Sequence, residues 1–384
     1  MALKSPETTV KELGAALGFD IVGITSAEPF QRDEKAALDR IRGGLMDGLP
    51  WYTEDRVRLA SHPELLLKNS QSIISLAISY LTGEPRTDVM GPRGRIARYA
   101  WGDDYHDVMK ARLKEFVRHL SEKMERPVRT RIFVDDGPMN DRSAAERAGV
   151  GWFGKNTNIL TPSHGSWVLL GQIITDLELK PDTPLRKTCG ECIRCIEACP
   201  TGAIVAPYVI DNRKCISFLT IELRGAIPRE MRPLVGDWVF GCDICQDVCP
   251  VNRKAAPSQE QAFQQRHDFA APELLPLLEL DDLEFQEKFR NSPIKRAKRA
   301  GLQRNVCVAL GNIGDPVAVP PLLRSLEAAE PLVRQHAAWA LGRIGGAEAA
   351  RGLEQAACHE RDQEVREEIE LAMKESGGTV DPRK

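Results

Sequence analysis

The spacing of apolar residues divides the chain into an N-terminal α/β region and a C-terminal helical region. Apolar runs predict strands at residues 20–25, 73–80, 131–134 and 167–174. The run 73–80 is almost wholly apolar, as in a strand that is covered on both faces. Apolar positions at helical spacing predict helices at 10–17 and through 108–124. We therefore predict one α/β domain over residues 1–183.

The C-terminal region contains an internal repeat. Residues 302–314 align with residues 333–345 at an offset of 31, and a divergent third copy begins at Val365, as a capping repeat does. Each copy is a helix, a glycine-rich turn and a second helix, similar to a short HEAT repeat. We predict a linker with short helices over 259–292 and an α-helical HEAT-like repeat domain over 293–384.

Eight of the ten cysteines lie between these two regions, in a segment that we predict to be a ferredoxin-like module over 184–258. The first run has two, two and three residues between its cysteines and a proline after the last, which is the spacing of a bacterial-type [4Fe–4S] site. The second run, from Cys242 to Pro250, is one cysteine short, and Cys215 is the obvious replacement.

The last cysteine of such a run ligates the other cluster in two-cluster ferredoxins. We therefore assign one [4Fe–4S] cluster to Cys189, Cys192, Cys195 and Cys249, and the other to Cys199, Cys215, Cys242 and Cys245. A zinc site or disulfides are the alternatives, but zinc favours separated pairs of thiolates and disulfides need an oxidising compartment. Cys307 and Cys358 are left over, and we expect both to be unreactive.

Composition limits the remaining choices. The chain has 384 residues, 42% of them apolar, and a net charge of -3, so it can build proper cores. The N-terminal segment has no apolar signal core and no twin arginine, and no apolar run reaches the length of a membrane span. We expect a cytoplasmic monomer without a membrane partner.

A carboxylate, Asp135, follows the third predicted strand and precedes a glycine-rich segment at 149–158. The glycines match G-x-G-x-x-G, but a helix precedes them and an extended segment follows, so the dinucleotide fingerprint is not met. A carboxylate at the carboxyl end of a strand, beside such a loop, is where α/β sheets usually place ligands. The alternative is that Asp135 caps a turn.

A basic run precedes the repeats. Residues 293–304 contain five basic side chains and no acid: Lys295, Arg296, Lys298, Arg299 and Arg304. Such a run is usually a solvated helix face. Because it opens a solenoid, which suits long ligands, nucleic-acid phosphate is the other candidate.

The order of these features resembles the epoxyqueuosine reductases over nearly the whole chain. The likeness is carried by Arg58-Leu-Ala-Ser-His62-Pro, by Tyr99-Ala-Trp-Gly-Asp-Asp-Tyr105-His106, by Asp135, by the loop 148–156, by the cysteine module and by the basic run. That family is an oxidoreductase that removes the epoxide oxygen from epoxyqueuosine in tRNA, the last step of queuosine synthesis. The resemblance implies cobalamin, two [4Fe–4S] clusters and an N-terminal domain similar to those of reductive dehalogenases and a flavin-reductase-like cobalamin-trafficking protein.

The resemblance also implies roles for individual residues. Asp135 would be the proton donor, and the cofactor pocket would hold Arg58, Tyr105, His106, Asp135, Lys155, Asn156, Thr157 and Asn158. The HEAT-like tail would hold the tRNA anticodon stem-loop, and an external donor would supply electrons. The string from Asp104 to Met109 lacks the glycine of Asp-x-His-x-x-Gly, so we expect no protein histidine beneath the cobalt.

Two alternatives from other classes stay open at this point. One is a corrinoid reductase of small molecules, like a reductive dehalogenase, against which stand the missing twin arginine and the basic run. The other is a non-catalytic electron carrier, against which stands the large α/β domain with its ligand-type loop.

Overall fold

In the computed structural model the described residues are 5–83, 91–266 and 268–376. The helices, in chain order, are α1 Pro6–Ala16, α2 Gln31–Arg42, α3 Glu54–Ser61, α4 Pro63–Leu66, α5 Tyr105–Lys123, α6 Asp141–Arg147, α7 Arg194–Glu197, α8 Arg232–Val235, α9 Ile244–Asp247, α10 Leu274–Glu279, α11 Asp282–Lys288, α12 Arg299–Ile313, α13 Val319–Ser325, α14 Pro331–Ile344, α15 Ala347–His359 and α16 Gln363–Ser376. The strands are β1 Ile21–Ser26, β2 Ser72–Ser79, β3 Arg95–Ile96, β4 Thr130–Phe133, β5 Trp152–Phe153, β6 Ile159–Leu160, β7 Val168–Thr175, β8 Ile204–Ala206, β9 Val209–Ile210 and β10 Trp238–Phe240.

The chain forms two compact units, and neither is one continuous segment. The first contains the described residues up to 83 together with Gly102–Arg213 and Asp243–Gln264. The second contains the described residues of 84–101 together with Lys214–Cys242 and 265–376. The segment predicted as a ferredoxin-like module, 184–258, is therefore shared between the two units.

The first unit is built on a four-stranded sheet in the order β1-β2-β7-β4. Every neighbouring pair in it is antiparallel. The four strands were predicted, and β2 is buried along its whole length, as its apolar run indicated. The ligand position was argued from the carboxyl end of a strand, a rule that holds for parallel α/β sheets, so the antiparallel pairing here removes its support.

Helices cover both faces of this sheet. Successive residues of β2 point to opposite faces, so Leu76 lies near Gly14 of α1 while Ala77 packs in the cluster that contains Ala145 of α6. A methyl group on Gly14 would lie 2.4 Å from the Val22 side chain, which explains a glycine inside α1. Helix α5 buries its apolar stripe against β7 and α1: Met109, Leu113, Phe116 and Leu120.

A buried hydrogen-bond network ties α9 to the ends of β2 and β7. Gln246 accepts at Oε1 from the Tyr80 hydroxyl at 3.2 Å and from Ser166 Oγ at 2.9 Å. The Asn252 amide donates to Ser166 Oγ and to the Gln246 carbonyl, both at 2.8 Å. The cysteines on either side of Gln246, Cys245 and Cys249, are thereby fixed relative to the sheet.

The second unit contains the helical repeats, in which α14 packs against both α12 and α16. The repeat prediction is confirmed, and it explains two glycines at equivalent positions, Gly311 and Gly342. A methyl group on Gly311 would lie 2.9 Å from the Cα of Ala340, and one on Gly342 would lie 2.7 Å from the Cα of Ala372. Both glycines therefore allow close approach of neighbouring helices.

We predict opposite effects for two helical glycine-to-alanine substitutions. Gly342→Ala should destabilise the protein by about 1–3 kcal/mol, because the methyl group meets backbone that must shift. Gly301→Ala, in α12, places the new methyl group more than 4 Å from every atom beyond its chain neighbours and the adjacent backbone of its own helix, and should stabilise by up to about 1 kcal/mol. Urea unfolding followed by circular dichroism measures both. Equal effects of the two variants would contradict this account of the repeat glycines.

Candidate active site and cysteine module

Asp135 stands just beyond β4, where the backbone turns. Its φ of 51° lies in the left-handed region, which non-glycine residues seldom adopt. The Tyr105 hydroxyl donates to its Oδ2 at 2.7 Å. Tyr105 is the first residue of α5 and is buried, so a rigid helix fixes one carboxylate oxygen of Asp135.

The neighbours of this pair are also held in place. The ring of His106 stacks on that of Tyr105 with centroids 4.1 Å apart, and its Nδ1 lies 2.8 Å from Oδ1 of Asp104, the N-cap of α5. Asp136 forms an ion pair with Lys110. Burial opposes ionisation of Asp136, but Lys110 and the Val134 N–H hold its pKa below the usual value. Two adjacent aspartates thus have different partners.

A third carboxyl group, Asp141, belongs to this site and was missed by the sequence analysis. Burial raises its pKa well above the usual value, and the charges of Asp135 and Asp136 act in the same direction. Its Oδ1 is buried and has no hydrogen-bond partner among the described residues. In the sequence it is an ordinary acid in the first turn of a helix, so only its position relative to Asp135 distinguishes it.

The loop 155–158 lies against the cysteine segments. The Lys155 N–H donates to Sγ of Cys189 at 3.4 Å, and its Nζ donates to the Gly190 carbonyl at 2.7 Å. Asn156 is buried and donates from Nδ2 to the Cys245 carbonyl at 3.2 Å.

The second half of this loop contacts the segment that contains Asp141. Thr157 accepts at its carbonyl from Arg142, the neighbour of Asp141, at 3.2 Å, and the Asn158 N–H donates to Asn156 Oδ1 at 3.3 Å. We expected all four residues of the loop to line a cofactor pocket. Lys155 and Asn156 bind cysteine loops, because the β5–β6 hairpin places them there, and their cofactor contacts stay a prediction.

Four predicted ligand cysteines influence one another electrostatically. Burial raises the pKa of the Cys195 thiol, and the nearby thiols of Cys189, Cys249 and Cys192 raise it further. Cys249 comes from the second run, yet its thiol lies near enough to that of Cys195 to act on it, which the crossed ferredoxin pattern requires. The assignment of Cys249 to this cluster stays a prediction. None of the four is in a disulfide. Their chemistry and grouping fit a cluster that takes one thiolate from each cysteine.

No group of three or more His, Cys, Asp or Glu side chains within 5–83, 91–266 and 268–376 is placed to hold a single metal ion. A [4Fe–4S] cluster is larger and takes four separate cysteines. The other four predicted ligands are half-buried and are also not in disulfides: Cys199, Cys215, Cys242 and Cys245. Burial raises the pKa of Cys307 to about 12, which agrees with its expected inertness. Cys358 is exposed.

Arg58 was assigned to the cofactor pocket, and the structure gives it local partners. It lies on α3 with its side chain half exposed, and it donates to Glu54 at 2.9 Å and to Asp55 at 3.4 Å. These are ion pairs within one helix turn. Among the described residues, no hydrogen bond or ion pair joins Arg58 to Asp135, so the assignment of Arg58 to the cofactor pocket stays a prediction.

The basic run is not one helix face. Pro293–Ala297 is a 3-10 turn, Lys298 has a φ of 64°, and α12 begins only at Arg299. Arg304 is buried and donates to the carbonyls of Leu219, Leu223 and Gly225. Its predicted phosphate contact is therefore wrong, because its donors are used inside the second unit.

The other arginines of the run have acidic partners. Arg299 pairs with Asp282 and Glu330, and Arg296 pairs with Glu222 at 2.6 Å. Lys298 is exposed and Lys295 is half-buried. Lys298 is thus the most exposed basic group of the run.

Three family models match the chain. They are "Epoxyqueuosine reductase QueG" at residues 61–136, "4Fe-4S double cluster binding domain" at 188–252 and "HEAT repeats" at 294–374. The epoxyqueuosine reductase of Bacillus subtilis is 36% identical over 375 residues, which are 96% of each chain. The chain belongs to the epoxyqueuosine reductase family.

Solved structures of this family share the fold over nearly the full length. A crystal structure of epoxyqueuosine reductase with a tRNA-Tyr epoxyqueuosine-modified stem loop matches with a TM-score of 0.91 and 35% identity, covering 97% of this chain and 99% of that one. A Bacillus subtilis epoxyqueuosine reductase structure with an aspartate catalytic loop swung out of the active site has a TM-score of 0.90 at 34% identity, covering 96% and 98%.

Membership in the epoxyqueuosine reductase family confirms the central sequence prediction, including its oxidoreductase class. The double-cluster match spans all eight predicted ligand cysteines, and the repeat match begins at the basic run. The two alternative function classes are not favoured. Among the described helices, none is both long and apolar enough to cross a membrane.

Proposed function

We propose that this chain reduces epoxyqueuosine to queuosine in tRNA, with Asp135 as the proton donor. The observation that carries the assignment of the donor is the Tyr105–Asp135 hydrogen bond of 2.7 Å in a chain of this family. Removing the epoxide oxygen to give an alkene consumes two electrons and two protons and releases water. Electrons from an external donor enter through iron–sulfur clusters, and the protein must supply a proton to the departing oxygen.

Asp135 suits proton delivery because one of its oxygens is fixed. Tyr105 donates to Oδ2, which leaves Oδ1 as the oxygen that would carry the proton for the substrate. An acid acts only within hydrogen-bond reach of the group that it protonates, and a helix-anchored tyrosine limits how far the carboxyl group can turn. Asp136 is less suitable, because its ion pair with Lys110 favours the ionised form.

Cobalamin enters this proposal through the family resemblance. The assigned residues that fit such a group are His106 and Asp135, together with Tyr105, which contacts both of them. The unpartnered buried oxygen of Asp141 lies near Asp135 as an acceptor for an amide. When bound, cobalamin supplies a reduced cobalt that is a strong nucleophile. Tyr105 and His106 would form a wall of its site and Asp135 would face the substrate.

The first test uses Asp135→Asn and its neighbour. Anaerobic protein reconstituted with cobalamin should convert epoxyqueuosine tRNA, and Asp135→Asn should lower turnover about 10²–10⁴-fold, because the amide has no carboxylic proton. Asp136→Asn is the matched control and should stay within about tenfold of wild type, since Asp136 does not deliver the proton. Bound iron and cobalamin should be unchanged in both. Near-normal turnover of Asp135→Asn would pass the role to Asp136 or His106.

For the clusters we propose the crossed ligand sets from the sequence. The mutual influence of Cys189, Cys192, Cys195 and Cys249 supports the first set. The double-cluster family match supports the second set, Cys199, Cys215, Cys242 and Cys245.

Anaerobically purified protein should therefore contain about eight iron atoms. Cys215→Ala should lose or damage one cluster and retain the other, which iron analysis and electron paramagnetic resonance (EPR) can show. Cys358→Ala removes an exposed, unassigned thiol and should keep all the iron. Full iron in Cys215→Ala would show that another residue is the fourth ligand.

We also propose that the exposed part of the basic run meets tRNA phosphates. A relative with a bound stem loop supports tRNA as the partner. Phosphate contacts give affinity without reading sequence. Of the five residues first assigned, Lys295 and Lys298 remain the best candidates, since Arg296 and Arg299 pair with acids and Arg304 is buried.

Replacing Lys295 and Lys298 together by Gln should weaken tRNA binding and flatten its salt dependence. The slope should fall by about 0.7–0.9 for each lost phosphate contact. KM should rise more than kcat falls, because the chemistry on bound substrate is untouched. Lys374→Gln, which removes one charge from α16, should bind as wild type. If the double variant binds tRNA as wild type does at every salt concentration, the basic run does not contact tRNA and is only a solvated surface.

A further inference from the structure

We propose that Lys155 sets the reduction potential of the cluster at Cys189 and positions its loop. This inference rests on the proposed clusters. One residue holds one cysteine loop at two points: its backbone N–H lies 3.4 Å from Cys189 Sγ, and its ammonium lies 2.7 Å from the Gly190 carbonyl oxygen. The charge of Lys155 is therefore fixed beside a cluster ligand.

The backbone around Lys155 is rigid, so this placement is a property of the fold. The Gly154 N–H donates to the Asn158 carbonyl at 2.8 Å, which closes the hairpin loop between β5 and β6. The Lys155 carbonyl accepts from the Tyr208 N–H at 3.0 Å, and the Tyr208 carbonyl accepts from Arg40 at 2.6 Å. The loop is therefore held by its own hairpin and by the turn between β8 and β9.

The next residue binds the other cysteine run. Asn156 is buried, and its amide donates to the carbonyl of Cys245, a proposed ligand of the second cluster. Methyl groups would not fit nearby: one on Gly154 would lie 2.6 Å from Asn156 Oδ1. Lys155 and Asn156 together hold two cysteine loops against this hairpin. The carbonyl of Thr157, in the same hairpin, accepts from Arg142, the neighbour of Asp141.

A positive charge and an N–H···S hydrogen bond act on the potential in the same direction. Reduction adds one negative charge to a cluster, so both groups favour the reduced form. A lysine that only closed a turn would give the same geometry with no dependence on charge. Substitution of the side chain leaves the backbone N–H in place, so it isolates the charge.

The experiment is a redox titration followed by EPR on full-length, anaerobically reconstituted protein. In Lys155→Gln the ratio of reduced to oxidised Cys189 cluster at a given potential should fall about tenfold, which is about 59 mV for one electron. The other cluster should not shift, and the spectrum of Cys215→Ala identifies which signal is which. Lys155→Arg should titrate as wild type, and so should Lys114→Gln, which removes an exposed charge from α5.

Each outcome decides the matter. An unchanged potential in iron-replete Lys155→Gln overturns the inference while leaving the proposed function intact. Equal shifts in the Gln and Arg variants overturn the charge argument. If Lys155→Gln loads little iron, the inference requires that Lys155→Arg load fully and keep the wild-type potential. If both variants load little iron, the role of Lys155 is structural and the inference is wrong. If reconstituted wild-type protein shows no [4Fe–4S] signal, both the proposed clusters and this inference are wrong.

Discussion

The buried amide of Gln246 is the constraint on which the geometry of the first unit depends. Its Oε1 accepts two hydrogen bonds from the sheet side, and its Nε2 donates to Asp243 at 3.1 Å. A buried polar group that loses a partner costs about 1–3 kcal/mol, so a network of this kind favours one arrangement over near alternatives. Because Gln246 lies between Cys245 and Cys249, the same bonds fix two thiols relative to the strands.

From that fixed point, the hairpin β5–β6 connects two kinds of chemistry. At one end Lys155 and Asn156 bind cysteine loops, and at the other Thr157 binds Arg142, next to Asp141. The cysteine loops and the aspartate site are therefore both attached by hydrogen bonds to one hairpin. Such a connection does not show that the two are coupled energetically. It does fix their separation, which a two-electron, two-proton reaction needs at every turnover.

Much of this could be predicted from the sequence, and the failures have physical causes. Apolar runs located β1, β2, β4 and β7, because a buried strand is apolar in parallel and antiparallel sheets alike. They carry no information on direction, so the antiparallel sheet was missed. Cysteine spacing predicts that Cys249 joins the first run, and the effect of its thiol on Cys195 supports that proposal. Asp141 could not be found, because its pKa depends on tertiary burial beside two other acids.

The basic run shows why a count of charges does not measure an electrostatic surface. Arginine presents several donors in a rigid fork and is less strongly hydrated than lysine, so it can be buried where several carbonyls converge. Arg304 does this with three carbonyls of residues 219–225. Arg232 is also buried, with its Nε on the Ile227 carbonyl and an ion pair to Glu368. Lysine, a compact and strongly hydrated charge, stays at the surface, as Lys298 does. Within one sequence run the residue type therefore separates groups that hold the repeats together from groups that can meet a phosphate.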